Sequence, residues 1–211
     1  AYVHDWLVTY RGGEKVLEAL LELYPEAPIH TLFYDPQLLP DAITQRRVIY
    51  PEMLNKLRKV RKGLLPIFPY VMDRMDFSPY DLIISTSSCV AKAARPVGDA
   101  KHICYLHSPM RYIWDQQDEY LKGLKGIPGA AAGIKSLTPW LRRWDVATAA
   151  RVHRFVANSR FVQERTKRFY HRDATVIHPP VELDRFRPVP REEKDDYLLA
   201  AGAWVSYKRF D

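Results

Sequence analysis

The chain has 211 residues and is 47% apolar, enough to bury the core of one large α/β domain or two small ones, as in a globular protein. Thirty-two Lys and Arg face 25 Asp and Glu; the formal charge of +7 favours anionic partners such as nucleoside diphosphates, phospholipid head groups or nucleic acid, without choosing among them. No apolar run approaches the roughly 20 residues that a membrane-spanning helix needs, and no signal peptide opens the chain, so the sequence reads as soluble or peripheral rather than integral.

Short, near-continuous apolar runs bounded by turn residues predict parallel strands at 2–8, 28–33, 47–50, 82–85, 102–106, 154–157, 175–177 and 197–200. Apolar residues recurring every three or four positions predict helices at 14–23, 138–152 and 160–169. This alternation predicts a Rossmann-like, doubly wound, mostly parallel α/β sheet with helices on both faces. Ala1 opens inside one strand pattern and Asp211 closes just after another, which predicts a longer natural chain.

Along the chain, the first strand carries His4-Asp5-Trp6 and is followed by Arg11-Gly12-Gly13-Glu14 at the start of a helix. Glycines there let a ligand approach the backbone, and the free N–H groups and dipole of a helix N-terminus attract phosphate. A tight strand-to-helix turn explains the pair equally well, and GxGxxG is absent. Residues 56–70 join a basic block, Lys56 to Lys62, to an apolar and aromatic one ending at Tyr70. Cations at head groups and rings at the interface suit peripheral contact with an anionic membrane; a solvated basic helix beside a core segment is the alternative. Ser85-Thr86-Ser87-Ser88 closes a strand ahead of a helical Val90-Ala91-Lys92-Ala93. Helix capping is the plain role for these hydroxyls, and contact with a ligand hydroxyl is the sharper one.

Cys89 and Cys104 lack a paired spacing, so reduced thiols and a cytosolic setting are expected. His107 follows the strand at 102–106, with Ser108 and Arg111 beside it. Ligands of open α/β sheets collect at the carboxyl ends of strands, which aims His107 into a crevice, where an imidazole donates a hydrogen bond or exchanges a proton near neutral pH. A packed or exposed histidine without a role is the alternative. The Gly- and Ala-rich stretch 123–133 reads as a surface loop, ended by Thr138 as N-cap and Pro139 as first-turn residue of the next helix. Asn158 and Ser159 are competent N-caps at another strand-to-helix junction, and Asn158 is also placed to line the cleft. Pro179-Pro180 and residues 187–193 mark the approach to a linker, so the first domain is read as 1–190 and residues 191–211 as linker and start of a second.

Four segments, VHDWLxxxxGGEKVLEAL, HSPMRYIWD, VANSRFVQERTKRFY and VIHPPVELDRF, in this order and spacing resemble family 4 glycosyltransferases. The likeness runs over nearly the whole chain and is greatest to bacterial mannosyltransferase-like members that build surface polysaccharides. It implies the N-terminal, acceptor-side domain of a GT-B fold in a retaining, metal-independent enzyme. Such an enzyme transfers a sugar, here mannose by likeness, from a nucleoside diphosphate sugar to a glycan or lipid-linked acceptor. The resemblance places Gly12 and Gly13 near the donor diphosphate, makes His107 the catalytic contact to the donor sugar and sets Asn158 and Ser159 at a strand end of the cleft; Ser87 and Arg111 are added as substrate-binding candidates from their own positions at strand ends. Residues 201–209 resemble the first strand and loop of the family's second domain, where an Arg and a Lys clamp the diphosphate. Lys208 matches the Lys, whereas Ala203 stands at the expected Arg position.

The family's glutamate motif that grips the donor would lie beyond Asp211, so the chain alone is expected to be inactive. The donor is a substrate, and neither cofactor nor metal is expected; no Asp-x-Asp triplet occurs. The expected location is cytoplasmic, peripheral at the inner face of the membrane. A nucleic-acid partner is not expected, because no helix-turn-helix, zinc or aromatic RNA-binding motif accompanies the charge. A serine hydrolase would need GxSxG, which is missing. The alternative reading is a non-catalytic carbohydrate-binding or nucleic-acid-binding domain.

Overall fold

Seven short strands, β1 (Tyr2–His4), β2 (Ile29–Thr31), β3 (Val48–Ile49), β4 (Leu82–Ser87), β5 (Lys101–Leu106), β6 (Arg154–Ala157) and β7 (Ala174–Val176), form one parallel sheet in the order β3-β2-β1-β4-β5-β6-β7. They are all but the last of the predicted strands. The computed structural model describes residues 1–122, 129–183, 188, 190–193 and 195–202. The chain divides into two units, Ala1–Pro179, which holds the sheet, and Pro180–Asp211.

The helices of the first unit are α1 (Gly12–Leu21), α2 (Asp41–Thr44), α3 (Glu52–Asn55), α4 (Phe68–Met72), α5 (Gln117–Lys122), α6 (Ala130–Ala149) and α7 (Arg160–Tyr170), with a 3-10 helix, Arg58–Ile67, between α3 and α4. Successive strand residues point to opposite faces, and here both faces are covered. Tyr2 and Ile84 pack with Leu17 and Leu21 of α1, while their neighbours Val3 and Ile83 pack with Leu65, Phe68 and Leu141 on the other side. That is why the strands read as continuous apolar runs rather than alternating ones. Val162 and Tyr170 of α7 bury against Cys104, Leu106 and Phe155. Each fully buried Leu or Phe of this kind contributes roughly 1.5–3 kcal/mol. Both thiols are buried, and burial pushes that of Cys104 up to about 12.

The order of strands sets the site. From β1 the chain winds outward through β2 and β3, then returns on the other side of β1 as β4. At such a switch point the connections leave in opposite directions, and a crevice opens at the carboxyl ends of the two strands.

Three sequence expectations need correction. The strand predicted at 2–8 pairs only through His4, with an isolated bridge between Leu7 and Tyr34 beyond it, because Asp5 turns its carboxylate onto the chain after β4. Helix α6 begins at Ala130, about two turns ahead of Thr138 and Pro139, so neither residue caps it. Gly129, at φ 74, makes the left-handed entry, Ile134 and Leu141 bury in the core, and the Thr138 hydroxyl donates to the Ile134 carbonyl at 2.9 Å. Burial on one face thus carries the helix through a proline that local propensity reads as a start. Of the loop predicted at 123–133, residues 123–128 lie outside the described residues. Finally, 197–200 is not a strand: a strand needs a ladder partner, and the described residues of the second unit supply none, leaving Leu198 and Leu199 exposed. Among the described residues no helix is long and apolar enough to cross a membrane.

Candidate active site

The carboxyl ends of β1, β4, β5 and β6 meet the start of α1 at one rim of the sheet. His107, the first residue after β5, packs its ring beneath Gly13: a Cβ on Gly13 would lie 3.5 Å from His107 Nε2 and 3.8 Å from His4 Cε1. Both are ordinary van der Waals distances, so a methyl group would fit there and rest against both imidazoles. Gly12 differs. A Cβ there would meet nothing within 4 Å, and its backbone is not left-handed, so the fold itself gives no reason for glycine at that position. The open space lies beside the first amides of α1, which have no partners inside their own helix.

His107 Nε2 is buried and, among the described residues, has no hydrogen-bond partner. Burial lowers its pKa to about 4, with His4 adding to the effect and Asp5 opposing it, so the ring is neutral at pH 7. His4 is also lowered to about 4, by burial first, against the pull of Glu14. Its Nδ1 lies 2.5 Å from Thr86 Oγ1 and its Nε2 4.0 Å from Glu14 Oε1. A Thr86 hydroxyl donating to Nδ1 leaves the Nε2 proton facing the carboxylate, an arrangement that satisfies both ends of the ring. Glu14 in turn accepts from the Thr9 hydroxyl at 3.0 Å and the Arg11 amide at 2.9 Å, which fastens the start of α1 to the loop that leads into it.

Asp5 is the residue around which this rim is built. Its carboxylate accepts from four successive amides, those of Ser88, Cys89, Val90 and Ala91 at 2.5–2.9 Å. The hydroxyls of Ser87 and Ser88 add bonds at 3.4 and 3.1 Å. Burial raises its pKa above the usual carboxylate value, opposed by the Ser88 and Ala91 amides and the Ser88 hydroxyl. Six donors converging on two oxygens favour the ionised form, which is an acceptor only. The expectation that the serine hydroxyls cap the following helix is corrected here: Asp5 supplies the acceptor, and Ala91–Ala93 is a single 3-10 turn.

Ser87, predicted to touch substrate, is fully buried, and its hydroxyl faces Asp5, so its place is beneath the crevice rather than in its lining. Asn158 donates from Nδ2 to the His107 carbonyl at 3.2 Å, tying the end of β6 to the residue after β5. Ser159 caps α7, accepting from the Val162 amide at 3.3 Å, as its position predicts. Arg111 is half-buried in the turn after His107. Four residues further on, Asp115 forms a two-pronged ion pair with Arg165 of α7, with Nη2 to Oδ1 at 3.1 Å. Lys208 lies outside the described residues. Among the described residues no group of three or more His, Cys, Asp or Glu side chains is arranged to hold a metal ion.

The rim therefore brings together Gly12, Gly13, His107 and Asn158 from separate parts of the sequence, and adds His4, Asp5 and Glu14. The available signal for Asp5 was a charged residue continuing an apolar strand pattern, a placement that requires a dedicated partner when buried. The sequence model for Glycosyltransferase Family 4 matches residues 10–185. The chain belongs to glycosyltransferase family 4. The match holds α1, β2 through β7, His107 and Asn158, whereas His4 and Asp5 precede it. Searches of curated proteins and of solved structures each returned no match. Membership makes this glycosyltransferase a transferase domain whose substrates are a nucleotide sugar and an acceptor.

Proposed function

We propose that this domain is the acceptor-side half of a retaining, metal-independent hexosyltransferase. It would move a sugar, mannose by sequence likeness, from a nucleoside diphosphate sugar to a glycan or lipid-linked acceptor. The observation that carries the reading is the buried, unpartnered Nε2 of His107 beneath the glycine turn of α1. A buried polar atom without a partner is costly, and at the mouth of an α/β crevice a ligand hydroxyl is its natural complement. Neutral at pH 7, the imidazole accepts or donates one hydrogen bond to the donor sugar without repelling the amides of α1. Those amides, with the open space at Gly12, suit the diphosphate.

Retention is carried over from the sequence likeness, and the state of the carboxylates bears only on its route. Asp5 is saturated by six donors, and Glu14 is engaged by Thr9 and Arg11, so neither is free to form a covalent sugar adduct. The acceptor hydroxyl would then attack the anomeric carbon on the face from which the diphosphate leaves. The C–O bond to the diphosphate breaks as the new glycosidic bond forms, and the departing diphosphate oxygen takes the hydroxyl proton.

The test is to incubate the full-length protein with a panel of sugar nucleotides and a mixed acceptor pool, with a metal chelator present, and to follow nucleoside diphosphate release. Release from one donor, an unchanged anomeric configuration in the product, and a fall of about a hundredfold or more in His107→Ala are expected, the loss typical of one transition-state contact. Inversion in the product, or His107→Ala turning over at the wild-type rate, would sink the reading.

A further inference from the structure

The basic segment after β3 does not lie in isolation. In the 3-10 helix Arg58–Ile67, residues three apart eclipse one another, so Lys59 stacks over Lys62 and Arg58 over Arg61. Arg58 is paired with Asp35 at 3.1 Å, but among the described residues neither Lys59 nor Lys62 pairs with a carboxylate. Like charges held this way repel, and Glu52 is the one acidic residue between positions 51 and 72. Of the acids on adjoining elements, Asp73 accepts from Trp144 and Arg151, and Glu119 pairs with Lys122, leaving Asp118 as the remaining acid on α5.

Apolar side chains stand among these cations without cover. Leu57 and Val60 are about half exposed, at 48% and 50%. Helix α6 packs against this 3-10 helix, and its Trp144 donates to Asp73, just past the end of α4, at 3.3 Å. Trp140 and Leu137 precede Trp144 by one and two turns on the same flank, and both are exposed, at 47% and 41%. Within α4, exposed Tyr70 carries the Arg74 guanidinium 3.2 Å from its ring centroid.

We propose that the 3-10 helix Arg58–Ile67 and the adjoining flank of α6 form a surface that docks on an anionic lipid bilayer. The charge complements the head groups and relieves the repulsion between Lys59 and Lys62. Trp140 and Tyr70 have the amphipathic rings that settle at the boundary between head group and acyl chain, and Val60, Leu57 and Leu137 supply apolar area. A soluble polyanion would meet the lysines but leave the apolar side chains in water. The surface also lies at the right end of the sheet. The chain enters it from the carboxyl end of β3, Arg58 holds Asp35 beyond the end of β2, and Trp6 beyond β1 packs on Phe68 with ring centroids 6.3 Å apart. A bilayer docked here is on the side of the molecule that carries His107, which under the function proposed above makes the acceptor a sugar borne on a lipid.

The test is sedimentation of the full-length protein with vesicles of phosphatidylcholine alone or mixed with phosphatidylglycerol, at low and high salt, with single-stranded nucleic acid as a second polyanion. Binding to the anionic vesicles alone, weakened by salt, is expected. Lys59→Gln with Lys62→Gln should weaken it about thirtyfold, since each basic residue near an anionic surface is worth roughly fivefold. Trp140→Ser should weaken vesicle binding and leave any binding to nucleic acid unchanged. Circular dichroism confirms that the variants are folded. Equal binding to neutral vesicles, a double variant that binds like wild type, or Trp140→Ser without effect on vesicles would overturn the proposal. Sedimentation requires no turnover, so its outcome stands apart from the donor assay.

Discussion

Two buried polar clusters flank β4 and β5, and they are finished to different degrees. Away from the crevice, Lys92 is fully buried and gives its ammonium group to the Asp145 carbonyl at 2.6 Å, the Thr148 hydroxyl at 2.9 Å and Asp145 Oδ1 at 3.0 Å, over the face of Tyr170. The second oxygen of Asp145 accepts from Trp114 at 2.8 Å and from Tyr170 at 3.0 Å. At the rim, His4, Asp5 and Glu14 are served as fully, yet His107 Nε2 is not. Among the described residues, His102 Nδ1, Asp145 Oδ1 and Arg165 Nε also lack a hydrogen-bond partner, but Asp145 Oδ1 is ion-paired with Lys92, Arg165 is ion-paired with Asp115, and His102 lies near the opposite end of β5. A network closed by an ion pair holds a fold together; under the function proposed above, the unpartnered atom at the switch point is where the ligand binds.

The sharpest way to break this contrast is Lys92→Met, which keeps the volume and strands the Asp145 charge. Urea unfolding should show a loss of about 3–5 kcal/mol, whereas a loss below about 1 kcal/mol would remove the structural role claimed for that network. Asp5→Asn comes next. It keeps one acceptor oxygen but turns an NH2 group onto amides that themselves donate, so a loss of about 2–3 kcal/mol is expected, with slower transfer because the turn beneath His107 shifts. Stability unaltered by this change would mean that the four amides find other acceptors.

His107→Ala should do least to the fold, within about 1 kcal/mol at pH 7, even as it abolishes most transfer. Its signature is in acid. The folded-state pKa of His107 is depressed to about 4 from an ordinary 6.5, so the unfolded chain takes up the proton first. The stability this histidine contributes is complete above pH 6.5 and is lost as the pH falls toward 4. Unfolding free energy measured across that window should fall less steeply for His107→Ala than for wild type; parallel curves would show that the ring is not held neutral in the folded protein.

The sheet was legible because both of its faces are buried, which writes each strand into the sequence as an apolar run. His107 and the glycine pair were legible because strand ends and helix starts are local features. Asp5 was not, since its partners lie 82 to 86 positions further on, and nothing near Ser88 says that a carboxylate from just past the first strand will occupy the place a serine hydroxyl is suited to fill. The start of α6 was misread for a related reason: Pro139 is a first-turn residue by local preference, and only the burial of Ile134 draws the preceding turns into the helix. The demotion of 197–200 to irregular chain has the same root, because an apolar run becomes a strand only beside another.

The grip of Asp5 also bears on how this rim moves. Four consecutive amides of the turn after β4 answer to a single carboxylate, so that turn cannot loosen one bond at a time: it stays latched while the end of β1 stays put and comes free as a unit when the end of β1 withdraws.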